Sequence, residues 1–164
     1  MKYLPTICIT SLLLLSFCES PTEEKSFADA SYKIFFGDKD AGLQTSSRDE
    51  NGTYRYTFEF NDRGRGPRYE EAFTINENGV IDQLTISGHN YFKDSVNEQF
   101  GSDEGVASWD SNSEEGSFSF DGEAFYTSNY GSFANNEHLV RKLLNSENKS
   151  IDLLPSGTAK LSNI

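Results

Sequence analysis

Two histidines, three clustered arginines and a cysteine at the end of an apolar run are the residues of this 164-residue chain whose type and setting could do chemistry. His89 and His138 form no His-x-His or His-Glu-x-x-His pair, and the two cysteines form no cluster, so nothing supports a transition-metal site. Both histidines read as ordinary surface or loop residues. No Gly-x-Ser-x-Gly elbow activates a serine, and no glycine-rich loop between a strand and a helix cradles phosphate. Acidic turns recur, but their carboxylates lack the 1, 3, 5 spacing and distal Glu of a calcium loop, and they read as solvated hairpins. That leaves Asn61-Asp62-Arg63-Gly64-Arg65-Gly66-Pro67-Arg68. Asp62, Arg63, Arg65 and Arg68 form a candidate interface or anion-binding loop, since guanidinium groups hold carboxylates and phosphates in fork geometry. The competing reading is a long hairpin loop whose arginines pair with the protein's own acids.

Composition limits what such a loop can serve. A net charge of −12 argues against nucleic acid as a partner, which needs surplus Lys and Arg to displace phosphate counterions. An aromatic content of 13% argues against disorder. The length suits one domain. Lys2 and the apolar run from Leu4 to Phe17 fit a secretory signal peptide over residues 1–17, too short to span a bilayer as a helix. Leu15-Ser16-Phe17-Cys18 resembles a bacterial lipobox, although Phe17 stands where a small residue is usual. The resemblance implies a lipid anchor on Cys18, an acidic tether over 18–30, and a membrane-held lipoprotein of the cell envelope, in the periplasm or at the surface. An ordinary signal peptide that contains a cysteine is the alternative. With Cys8 inside the signal, the fold stands without an internal disulfide.

The elements that would position the loop lie in residues 31–164. Tyr54, Tyr56, Phe58 and Phe60 alternate with Thr53, Arg55, Thr57 and Glu59, giving one aromatic and one wet face. Tyr32-Ile34-Phe36, Tyr69-Phe73-Ile75, Leu84-Ile86 and Phe118-Phe120 continue the pattern. Turns ending at Gly52, Gly79, Gly105 and Gly116 separate the segments; Asn-Gly tolerates positive φ at both central positions and signals tight hairpins. Phe133, Val140 and Leu144, with Leu139 and Leu143 beside them, follow helical spacing, and Asn135 or Asn136 could cap the start. Ile151–Pro155 and Thr158–Leu161 read as short extended pieces. The expected fold is mainly β: a single strongly twisted antiparallel up-and-down sheet with one short C-terminal helix packed on it through Val140 and Leu144.

Phe58-Glu59-Phe60-Asn61-Asp62-Arg63-Gly64-Arg65-Gly66-Pro67 resembles a signature in the N-terminal β-rich region of exported bacterial amidohydrolases, the imidazolonepropionase-like group. Asn76-Glu77-Asn78-Gly79, Val96-Asn97-Glu98-Gln99-Phe100, Gly105-Val106-Ala107-Ser108-Trp109 and Leu153-Leu154-Pro155-Ser156-Gly157-Thr158-Ala159 follow in the same order, over about Ser31 to Leu161. In that family the region precedes a metal-dependent barrel that hydrolyses C–N bonds. The barrel's ligands cannot be placed on this chain, so the resemblance implies a catalytically silent accessory domain that needs no cofactor of its own. Its partner would be a downstream amidohydrolase domain, and the divalent metal would belong there. The chain is then a fragment ending at Ile164 or a free-standing form of the accessory domain. Two other readings stay open: an envelope lipoprotein binding an apolar or anionic ligand, and a surface interaction domain on a tether.

Overall fold

The computed structural model describes residues 30–132 and 134–162; the apolar run, the tether and Cys18 lie outside them. Eight strands pair in chain order: β1 (Ala30–Phe36), β2 (Lys39–Arg48), β3 (Tyr54–Phe60), β4 (Arg68–Ile75), β5 (Ile81–His89), β6 (Ser95–Asp103), β7 (Val106–Ser111) and β8 (Glu115–Ser119). Every neighbouring pair is antiparallel, so this is the expected up-and-down sheet, open at β1 and β8. The remaining residues add a small second sheet. In it β9 (Ala124–Tyr126) runs parallel to β10 (Ser150–Leu154), and β10 runs antiparallel to β11 (Thr158–Lys160). The parallel pair is reached through the crossover helix α1 (Ala134–Asn145), the kind of connection that parallel strands require.

Three hairpins are built on one device. The side-chain oxygens of Asp49, Asn76 and Asn90 each accept backbone N–H groups two and four residues on, and each residue's own N–H bonds the carbonyl four residues on. Only the fourth residue, Gly52, Gly79 or Lys93, takes positive φ. The turns at Gly52 and Gly79 are therefore one residue longer than the two-residue Asn-Gly turn expected from the sequence. Gly116 is not a turn residue at all. It lies inside β8 opposite Trp109, and a Cβ there would come within 2.6 Å of the indole.

One face of the sheet is the core. Cross-strand register aligns Tyr54, Phe73, Leu84, Phe100 and Trp109 in a row from β3 to β7, the alternation expected of aromatic strands. Phe125 and Tyr126 of β9 and Leu143 of α1 are buried against this face. Tyr126 stacks on Phe100 with centroids 4.1 Å apart. The helix packs through a face rotated from the expected one. Leu143 is 4% exposed, whereas Val140 is 45% and Leu144 47% exposed. Asn135 and His138 share the buried face, so Asn135 is a packed helical residue bonded to Ser128 and not a free cap. The cover ends near β3. At β1, Tyr32 and Phe36 stay exposed, because β2 turns the polar Gln44, Ser46 and Arg48 toward the same face.

Candidate functional site

The up-and-down order sorts the hairpins to two ends. The turns around Glu50, Glu77 and Glu104 share one end, and residues 37–38, 61–67, 90–94 and 112–114 share the other. Ala30 pairs with Ser46, near the first end. Leu161 donates to Lys149 O there too, beyond the helix terminus at which Lys142 meets Asn78 and Glu123. The described chain therefore enters and leaves at the acidic end, and the arginine loop sits opposite.

The loop is a compact turn. Asp62 and Arg65 exchange backbone hydrogen bonds of 2.6 and 3.0 Å, Arg63 and Gly64 take positive φ, and Gly64 N donates to Asn61 Oδ1 at 2.7 Å. Gly66 permits a close return, since a Cβ there would lie 1.9 Å from Phe60 O. The loop is stitched to both neighbours. Asn61 N donates to Ala41 O, Gly66 N to Tyr91 O, and Lys93 Nζ to Gly66 O. Of the residues singled out in the sequence, Asp62 and Arg63 pair with each other at 3.7 Å, and the Arg63 side chain is 93% exposed. Arg68 starts β4 and pairs with Glu70 on its own strand. Arg65 is exposed and makes no ion pair among the described residues. Around them stand exposed aromatic rings, Phe35 and Phe36 beside the first tip and Phe92 on the third, at 59%, 63% and 75% exposure. Phe36 meets the half-buried Phe60 edge to face at 6.5 Å. Cys18 lies outside the described residues.

The two histidines sit in different settings. His89 ends β5 and contacts Asn90 O and Lys93 Nζ. His138 is not a surface residue: it is buried edge-on to Tyr54 and Phe73 at 4.7 and 5.3 Å. Burial holds its pKa below the usual histidine value, which keeps the ring neutral. Among the described residues no group of three His, Cys, Asp or Glu side chains could hold a metal, and no helix is long and apolar enough to cross a membrane.

Sequence reasoning missed two buried acids on the core face. Glu71 of β4 and Glu98 of β6 are 3% and 1% exposed. Glu98 accepts from Tyr126 Oη at 2.7 Å and from the N–H groups of Asn129 and Tyr130. Glu71 Oε2 accepts from Ser132 N at 2.8 Å and Ser132 Oγ at 2.6 Å. Burial raises both pKa values, and these hydrogen bonds partly oppose it. The segment they hold borders a cavity of about 270 Å³ lined by Tyr69, Tyr126, Ser128, Tyr130, Asn135 and Leu139. The signal was present in the sequence: Tyr69-x-Glu71-x-Phe73 and Val96-x-Glu98-x-Phe100 put an acid at the inward position of an apolar alternation.

A scan against protein-family models, a search of curated proteins and a search of solved structures each return no match to this chain.

Proposed function

We propose that this chain is a non-catalytic accessory domain of an exported, metal-dependent amidohydrolase, held at the membrane by a lipid on Cys18, and that its arginine-loop end docks on the hydrolase. The supporting observation is the concentration of Phe35, Phe36, Phe92, Arg63 and Arg65 on neighbouring hairpin tips of an otherwise acidic chain. Aromatic side chains and arginine are enriched among interface residues that carry binding energy. The tips point away from the end where the chain enters and leaves, which frees them to meet a partner. The hydrolytic metal and the water it activates belong to the partner in this reading.

The test is a calorimetric titration of the purified chain into an imidazolonepropionase-like amidohydrolase barrel from the same cell. One-to-one binding in the micromolar range, about −8 kcal/mol, is expected. Replacing Phe36 and Phe92 by Ser and Arg65 by Glu should weaken it at least tenfold; absence of binding by the unaltered chain sinks the reading. Separately, Cys18→Ser should move the protein out of the membrane fraction. The apolar-carrier alternative draws less support, because Phe125, Tyr126 and Leu143 fill the aromatic face. An anion at Arg65, which makes no ion pair among the described residues, is the form of it that the geometry accommodates.

A further inference from the structure

Glu71 and Glu98 bring two carboxyl groups into an interior where, among the described residues, no ion pair reaches them. They occupy one cross-strand row, Glu71 opposite Ile86 and Ile86 opposite Glu98. The ion pairs among the described residues all involve other acids. Burying an unpaired charge is costly unless hydrogen bonds replace its hydration. The donors to both groups come from residues 126–132, the stretch from β9 toward α1, with the Asn135 amide beside Glu71 as the exception. The two acids are thus a two-point clamp on one segment.

The two points differ at a single atom. Both oxygens of Glu98 are occupied: Oε1 takes Tyr126 Oη and Asn129 N, and Oε2 takes Asn129 N and Tyr130 N. Glu71 receives Ser132 on Oε2 alone, while its buried Oε1 has no hydrogen-bond partner. A proton arriving at Glu98 must displace a donor. A proton arriving at Glu71 Oε1 displaces no donor bonded to that atom, competes only with the Asn135 amide nearby, and removes one of two buried charges.

We propose that Glu71 is a proton switch for segment 126–132: protonated at Oε1 it holds Ser132 with the clamp closed, and ionised it adds a second buried charge that loosens the segment over the 270 Å³ cavity. Burial raises the Glu71 pKa above the ordinary 4.5, and the charge of Glu98 adds to the rise. A raised folded-state pKa fixes the sign. The stabilisation is complete below the unfolded value near 4.5 and is lost as pH rises through the folded value. The groups facing the clamp are Tyr56 of β3 and Tyr126 of β9, both pushed to higher pH by burial, and Glu114, which takes the Asn129 side chain at 3.1 Å. On the helix side stand Glu137 and His138, with Arg141 and Arg48 near the imidazole. The lowered pKa of His138 works in the opposite sense, favouring the fold at higher pH.

Hydrogen exchange at the amides of Asn129, Tyr130 and Ser132 in the full chain, corrected for intrinsic rates from pH 5 to pH 8, tests the switch. Protection should fall by up to about tenfold per pH unit between the ordinary carboxyl value and the raised folded-state value of Glu71, and level off above it. In Glu71→Gln, whose amide replaces the protonated carboxyl, the pH dependence at Ser132, the amide that Glu71 itself holds, should be lost. The carboxyl carbon resonance of Glu71 in the unaltered chain should titrate above the ordinary 4.5, a readout that does not depend on how the variant folds. Protection independent of pH, a Glu71 carboxyl titrating at or below 4.5, or the same pH dependence in Glu71→Gln would each overturn the proposal.

Discussion

The phenol of Tyr126 donates to the carboxylate of Glu98 across 2.7 Å, and both side chains are buried. The same ring stacks on Phe100, so one residue joins the small sheet to the large one through a polar and an apolar contact. Tyr126→Phe keeps the stack and deletes the donor. A loss of about 1–3 kcal/mol is expected, the range for removing a hydrogen bond to a charged buried group. Urea unfolding with an unchanged m-value measures it, and a change below about 0.5 kcal/mol would show that the Asn129 and Tyr130 amides suffice alone.

Helix α1 offers a paired comparison. Leu143→Ala removes a side chain that is 4% exposed and should cost about 2–5 kcal/mol. Val140→Ala, on the 45% exposed side, should stay within about 0.5 kcal/mol. Reversed magnitudes would mean that the helix packs through the face first expected from its sequence.

His138 should give the domain a pH dependence of its own. Its folded pKa is depressed by burial, so its contribution is present in full above the unfolded value near 6.5 and is lost as pH falls from there through the folded value. His138→Phe should abolish that component. The stability difference between the unaltered chain and the variant should therefore shift toward the variant between pH 7.5 and pH 5. The imidazole proton shifts should report a midpoint below 6.5; one above it would contradict the buried neutral ring.

Gly116→Val forces a Cβ to within 2.6 Å of Trp109, where the indole covers the glycine across the β7–β8 pair. About 1–3 kcal/mol of destabilisation is expected from overpacking. Trp109 is the only tryptophan, so its fluorescence should change in the folded variant, and an unaltered spectrum would refute the contact.

Much of the large sheet is written in residue spacing. Tyr54, Tyr56, Phe58 and Phe60 alternate in the sequence and take the inward positions of β3, and Gly52 and Gly79 mark real hairpins. The helix face was ambiguous for a geometric reason: Leu139 with Leu143 and Val140 with Leu144 both have i, i+4 spacing, and only contact with the sheet chooses between them. β9 is three residues long, too short to show a period, and its parallel pairing depends on a crossover that no local signal records. The arginine loop is visible as a cluster, yet the partners of Arg63 and Arg68 are set by the turn and by the extended backbone of β4. Residue type alone places Glu71 and Glu98 on the water side, where an acid in a strand normally faces. Their inward parity becomes decisive only once Ser132, Asn129 and Tyr130 arrive from far along the chain to bond them.

Entry and exit at the same end have a mechanical consequence. A pull applied at Ala30 and Leu161 loads β1 from its first residue, so its backbone bonds to β2 are stressed one after another and not all together. The sheet would open like a zipper, at lower force than one sheared along its strands. A domain held by those two residues can yield strand by strand under tension, with β1 the first to part.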